Sequence, residues 1–161
     1  MKLTLLRHLH RADYIEGSLS TQSGQHMCHT LENGIRHLPQ GEYRIHIAKC
    51  HQHGRKMPII LLTDQPACGV CQRLQTVWYN TNMPTCCPQI CTGNGAYHRT
   101  DNAVLVGELH CHGCLTQTKA AFDRLYETLR KQYERNQELY LVIRSKGNEN
   151  KNDNGRCKRK P

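Results

Sequence analysis

Long apolar runs are missing from this 161-residue chain. No stretch approaches the ~20 apolar residues that a membrane-spanning helix needs. The opening "MKLTLLRHLHRADYIEG" breaks its apolar run at Arg7. It lacks both the roughly 7–15 apolar residues and the small-residue cleavage site of a secretory signal. The expectation is therefore a cytoplasmic protein with no membrane partner, held in a reducing compartment. Aromatic residues are scarce, with one Phe and one Trp, and the hydrophobic fraction of 37 % lies below the ~45–50 % of an ordinary globular domain. A core must rest on Leu, Ile, Val and Tyr, or be reinforced by something else. There is no Gly-rich phosphate loop and no convincing pair of catalytic carboxylates.

Cysteine is abundant: ten in 161 residues. In a reducing compartment clustered cysteines point to metal binding or reactivity more than to disulfides. The formal charge is +9 with His neutral; residues 146–161 hold six Lys or Arg and two acids, so +4 sits there and +5 on residues 1–145. A mildly basic domain with a basic tail attracts polyanions non-specifically. That leaves an accessory role on nucleic acid as a minor reading and describes no concentrated nucleic-acid face.

Periodicity divides the chain into one α+β domain over 1–145 and a disordered basic tail over 146–161. The expected architecture is a mostly antiparallel sheet or partly open barrel with one C-terminal helix. Strands are predicted at 2–10, with Leu3, Leu5 and Leu9 on one face, at "GSLS", and at 26–32. Asn33-Gly34 and Pro39-Gln40-Gly41 are turn signals. Residues 42–50 alternate well, with Tyr43, Ile45 and Ile47 opposite Arg44 and His46. Further strands are expected at 57–64, more weakly at 73–80, then at 103–109 and 138–145. Residues 116–137 predict a helix whose apolar stripe is Ala121, Phe122, Leu125, Leu129 and Tyr133, N-capped by Thr116 or Thr118. Between them, 64–102 is rich in Pro, Gly, Asn, Thr and Cys and reads as a Cys-rich insertion. It holds Cys68, Cys71, Cys86, Cys87 and Cys91.

The densest chemistry lies in "GELHCHGCL" (107–115), which carries His110, Cys111, His112 and Cys114. Cys68-x-x-Cys71 and Cys111-x-x-Cys114 are knuckle-like pairs. Two residues between thiolates let both reach one zinc ion, and two such pairs complete a tetrahedron. The 39 residues between the pairs exceed the roughly 15–20 of a zinc ribbon, and Cys86, Cys87, Cys91 and His98 are alternative ligands. Disulfides are a third use, with too many pairings to assign. His8, His10, His26, His29, His37 and His46 read as surface or hydrogen-bonded strand residues.

The order of motifs resembles a family of small bacterial and phage proteins of unknown function. The resemblance rests on "CHTLENGIRHLPQGEYRI", a "TGN" turn, "AVLVGE" and "LTQTKAAFDRLYETL", and covers most of residues 1–130. Those proteins read Ile-His-x-Gly-Asn where this chain has "ICTGN", and Gly-Cys-Ile-Leu-Val-Gly where it has "NAVLVG". Cys91 and Ala103 therefore stand where the family has His and Cys. "HCHGC" also resembles the Ser-His-Gly-Cys signature of L,D-transpeptidases, cysteine enzymes of cell-wall peptides. That resemblance implies Cys114 as nucleophile, with His98 as base or orienting group and His112 beside it. The leading expectation is a non-enzymatic domain in which Cys68, Cys71, Cys111 and Cys114 bind zinc and order residues 64–114. The alternative is the cysteine enzyme.

Overall fold

In the computed structural model, residues 1–49, 54–61, 88–95 and 103–146 are described. The strands are β1 (Lys2–His10), β2 (Tyr14–Thr21), β3 (His26–Asn33), β4 (Gly41–Lys49), β5 (Lys56–Leu61), β6 (Ile90–Cys91), β7 (Val104–Cys111), β8 (Cys114–Thr116) and β9 (Leu139–Ser145), with helix α1 (Thr118–Glu134) between the last two. The chain is α+β and mostly strand. The sheet order is β5-β4-β9-β1-β2-β3-β7-β6, and β8 pairs with β7 off this path. A bridge between Ile59 and Gln89, with the Ile60 N–H donating to the Pro88 carbonyl at 2.7 Å, brings the two edges together. The result is a nearly closed, barrel-like sheet. Pairing is antiparallel except for β1 with β9 and β6 with β7.

Registration explains the core. Leu5 faces Leu19 across β1 and β2, and Leu19 faces Cys28 across β2 and β3. On the other side Leu3 and Leu5 pair with Leu141 and Ile143 of β9, and Ile45 of β4 pairs with Leu139. Because strand side chains alternate, these residues share one face, and all are buried. The expected alternation of β4 holds: Ile45 and Ile47 are buried, while Arg44 is exposed. Helix α1 lays Ala121, Phe122, Leu125 and Leu129 into the same cluster. Its outward face is laced by Lys119–Asp123, Glu127–Arg130 and Glu127–Lys131 pairs.

Three expectations are corrected. The β1/β2 register shifts between Arg7 and Leu9, which pair with Gly17 and Glu16 respectively. That bulge turns Leu9 to the opposite face from Leu3 and Leu5. Arg7, which interrupts the apolar run, is the third inward position of β1 and is 2 % exposed. His37 lies in the 34–40 connection and on no strand. The helix is capped by neither threonine. Thr116 still belongs to β8, and its hydroxyl reaches the Glu108 carbonyl at 3.4 Å. The chain must turn sharply from strand to helix, so Gln117 takes the N-cap position at φ 49 without a side-chain cap. Thr118 Oγ1 points to Asn94 Oδ1 instead, at 3.4 Å.

The predicted strand at 73–80 lies outside the described residues. So does most of the 64–102 segment, apart from 88–95. The tail beyond 146 lies outside them as well.

Candidate functional site

"HCHGC" is the tip of a β-hairpin. Strand β7 runs through it to Cys111, the chain turns at His112-Gly113, and β8 starts at Cys114. Cys111 and Cys114 are cross-strand partners, with an irregularity in register between Leu109 and Cys111. Two glycines permit this hairpin. At Gly107 a Cβ would sit 2.7 Å from the Thr116 carbonyl oxygen, so only glycine lets β8 fold back so closely. Gly113 has φ +75, and a Cβ there would meet the Tyr14 ring at 3.1 Å. Gly113→Ala is therefore expected to lower stability by about 1–2 kcal/mol through left-handed backbone strain, plus whatever the Tyr14 contact adds. Urea unfolding measures it.

The hairpin folds over the sheet face opposite Leu5, Leu19 and Cys28. That face holds Glu16, Leu31 and Leu105, which share a side by register. Leu31 and Leu105 are nonetheless almost fully buried. Gly93 lies against the Leu105 side chain, the Leu115 N–H donates to the Asn94 carbonyl at 2.7 Å, and Gly95 bridges Cys114. Glu16 is trapped beneath this cover with its side chain 2 % exposed. Its carboxylate accepts the Gly113 N–H at 2.7 Å and meets His112 Nδ1 at 3.1 and 3.2 Å. A buried carboxylate needs such donors, and here they come from the turn between the two cysteines.

Cys111 and Cys114 are half-buried, and Cys114 carries a free thiol. Side chains directly opposite each other have Cβ atoms about 4.5–5.5 Å apart. Two thiolates on one zinc at ~2.3 Å stand roughly 3.8 Å apart in a tetrahedron. The cross-strand pair can reach that spacing by side-chain rotation alone. Cys28 contrasts with them: burial pushes its thiol up to about 12, so it stays protonated and inert at neutral pH. Among the described residues no three His, Cys, Asp or Glu side chains are grouped to hold a metal ion. The hairpin thus offers two ligands. The other proposed pair, Cys68 and Cys71, lies outside the described residues, as does His98.

The positions that stand in for the resembling family's His and Cys are both buried, Cys91 at 1 % and Ala103 at 4 % exposure. Cys91 pairs with Leu105 across β6 and β7. They are separate from the hairpin tip in sequence and register.

Sequence reasoning missed Glu16 and the company of several histidines. A wide shift in the β2/β3 pairing, with Leu19 opposite Cys28 and Ser20 opposite His26, leaves Met27 as an extra residue. His26 and His29 thereby share one face, with ring centroids 4.9 Å apart. His29 Nδ1 is 3.7 Å from Glu108 Oε2. His8 joins this patch. Burial pushes its imidazole below the usual value, Glu16 pulls it back up, and His29 pushes it down again. Elsewhere a cleft of about 240 Å³ opens beside His46, Tyr133 and Glu138, but its polar groups pair with one another: Tyr133 with His46 and Arg44 with Glu138.

No family model, curated protein or solved structure matches this chain. No helix among the described residues is long and apolar enough to cross a membrane.

Proposed function

We propose that this is a small zinc-binding domain of the bacterial or phage type, without catalytic activity. In it Cys111 and Cys114 form one knuckle, and Cys68 and Cys71 complete a tetrahedral site that orders residues 64–114. The observation that carries the reading is the cross-strand pairing of Cys111 with Cys114 around a two-residue turn. A knuckle needs two thiolates converging from a rigid turn, with the intervening backbone tied down. Glu16 supplies the tie. Metal bound there would release part of the cost of ordering a Pro- and Gly-rich segment of low apolar content. Cobalt substitution tests it. Thiolate-to-cobalt charge-transfer absorption should appear with one equivalent of Co²⁺ and be lost in Cys114→Ser. Absorption that is unchanged in Cys114→Ser rejects this ligand set.

One observation favours a second reading, a cysteine enzyme acting on peptides: the His112 imidazole is oriented by a buried carboxylate two residues from Cys114. An oriented imidazole beside a thiol is the minimum for a nucleophile and base. Against it, the family resemblance puts its His and Cys at positions where this chain has Cys91 and Ala103. The two readings separate on reactivity. A zinc knuckle protects Cys111 and Cys114 together from a thiol-directed probe. A nucleophile makes Cys114 alone hyper-reactive, and turnover of a cell-wall peptide then disappears in Cys114→Ala.

A further inference from the structure

We infer a second cation site, independent of the cysteines, in which His26, His29 and Glu108 bind a divalent first-row transition metal on the outer face of β3 and β7. His26 and His29 reach one patch only because of the bulge at Met27. In a regular strand, residues three apart point to opposite faces. Here His26 stands opposite Ser20 and His29 opposite Ser18, so both imidazoles project to the same side, and their rings lie 4.9 Å apart at 60°. Glu108 comes from the neighbouring strand, next to Gly107, the register partner of His29.

The second observation is an imbalance at His29. Its Nδ1 is shielded from water and has no hydrogen-bond partner, although the Glu108 carboxylate oxygen is 3.7 Å away. That separation is too long for a hydrogen bond. It lies just outside the roughly 3–3.6 Å between two ligands of one metal ion with bonds of about 2.0–2.2 Å, so a small side-chain movement brings the two into range. A buried imidazole nitrogen without a partner costs free energy that a cation would recover. Two imidazoles and one carboxylate are a ligand set for zinc, nickel or copper and a poor one for calcium or magnesium.

As the side chains stand, the three do not surround one point. Binding draws in His26, which is exposed, and Glu108, whose second oxygen is 3.4 Å from the Arg124 guanidinium. Water completes the coordination.

The test uses the untagged full chain with its thiols occupied by zinc, or alkylated if it carries none, so that failure of the cysteine reading leaves this one testable. Ni²⁺ is titrated while the histidine ring signals are followed by NMR. The expected result is early, selective loss of the His26 and His29 signals, with affinity at least about tenfold weaker in His29→Ala. His26→Ala, a change at an exposed side chain that leaves the core intact, should weaken binding to a similar extent. His10→Ala, at the far end of β1, should not. Uniform broadening of all histidines, or binding in His26→Ala and His29→Ala within about twofold of the unaltered chain, overturns the inference.

Discussion

Arg7→Met should cost about 3–5 kcal/mol of stability, the range for breaking a buried ion pair by removing one partner. The Arg7 guanidinium donates through Nε to Glu32 at 2.8 Å and through Nη2 to the other carboxylate oxygen at 2.7 Å. Nη2 also donates to the Leu38 carbonyl at 2.6 Å. Both side chains are 2 % exposed. Methionine fills the space of the aliphatic stem but leaves the Glu32 carboxylate buried without its cation and the Leu38 carbonyl without its donor. The damage therefore comes from the groups left behind. The double variant Arg7→Met/Glu32→Leu removes both charges and should recover most of the loss, since apolar replacement of a whole buried pair is often neutral or better. Urea unfolding followed by circular dichroism measures both. If the single variant loses under about 1 kcal/mol, the pair behaves as a surface ion pair and the burial assigned to it is wrong.

Glu16→Ala should lower stability by about 2–3 kcal/mol, the scale of a lost charge-assisted hydrogen bond with its donor left unsatisfied. It should also weaken the proposed metal binding at the cysteine hairpin by about 10–100-fold, as removal of an outer-shell partner does. The Gly113 N–H faces a covered space once the carboxylate is gone, and His112 loses its anchor. Glu16→Gln should fall between. Its amide oxygen can still accept from Gly113, but its NH₂ group then confronts His112, which must present an acceptor nitrogen instead. His112→Ala made in the Glu16→Ala background should cost less than in the unaltered chain, because the two side chains interact. Equal costs in both backgrounds would show that the contact carries no energy.

These two residues mark where sequence reading stops. β4 and α1 were legible because their periods are regular and their apolar faces continuous: Tyr43, Ile45 and Ile47 in one, Ala121, Phe122, Leu125 and Leu129 in the other. β1 was legible as a strand but not in its facing. One extra residue at the bulge reverses every side chain beyond it, and a charged residue at an inward position looks like the end of a core segment. Arg7 can be core only because Glu32 arrives from β3, which composition does not announce. The hairpin was half legible. The Cys-x-x-Cys spacing with Gly113 marks a turn that brings two thiols together. Glu16 carries no local signal, since its partners are 96 and 97 residues away in the chain. The pairing of His26 with His29 was hidden for the same reason as the facing of Leu9: a bulge breaks the period-two rule on which strand reading rests.

The hairpin, its glycines and the buried carboxylate beneath it are consistent parts of one local design, a frame for a bound zinc ion. The most direct measurement is the zinc content of the full chain purified without chelator, by elemental analysis, alongside Cys111→Ser and Cys114→Ser. A zinc knuckle requires close to one equivalent of zinc in the unaltered chain, a large loss in either variant, and unfolding or loosening of the chain with EDTA. Less than about a tenth of an equivalent, in a protein that keeps its fold and stability in EDTA, would contradict it.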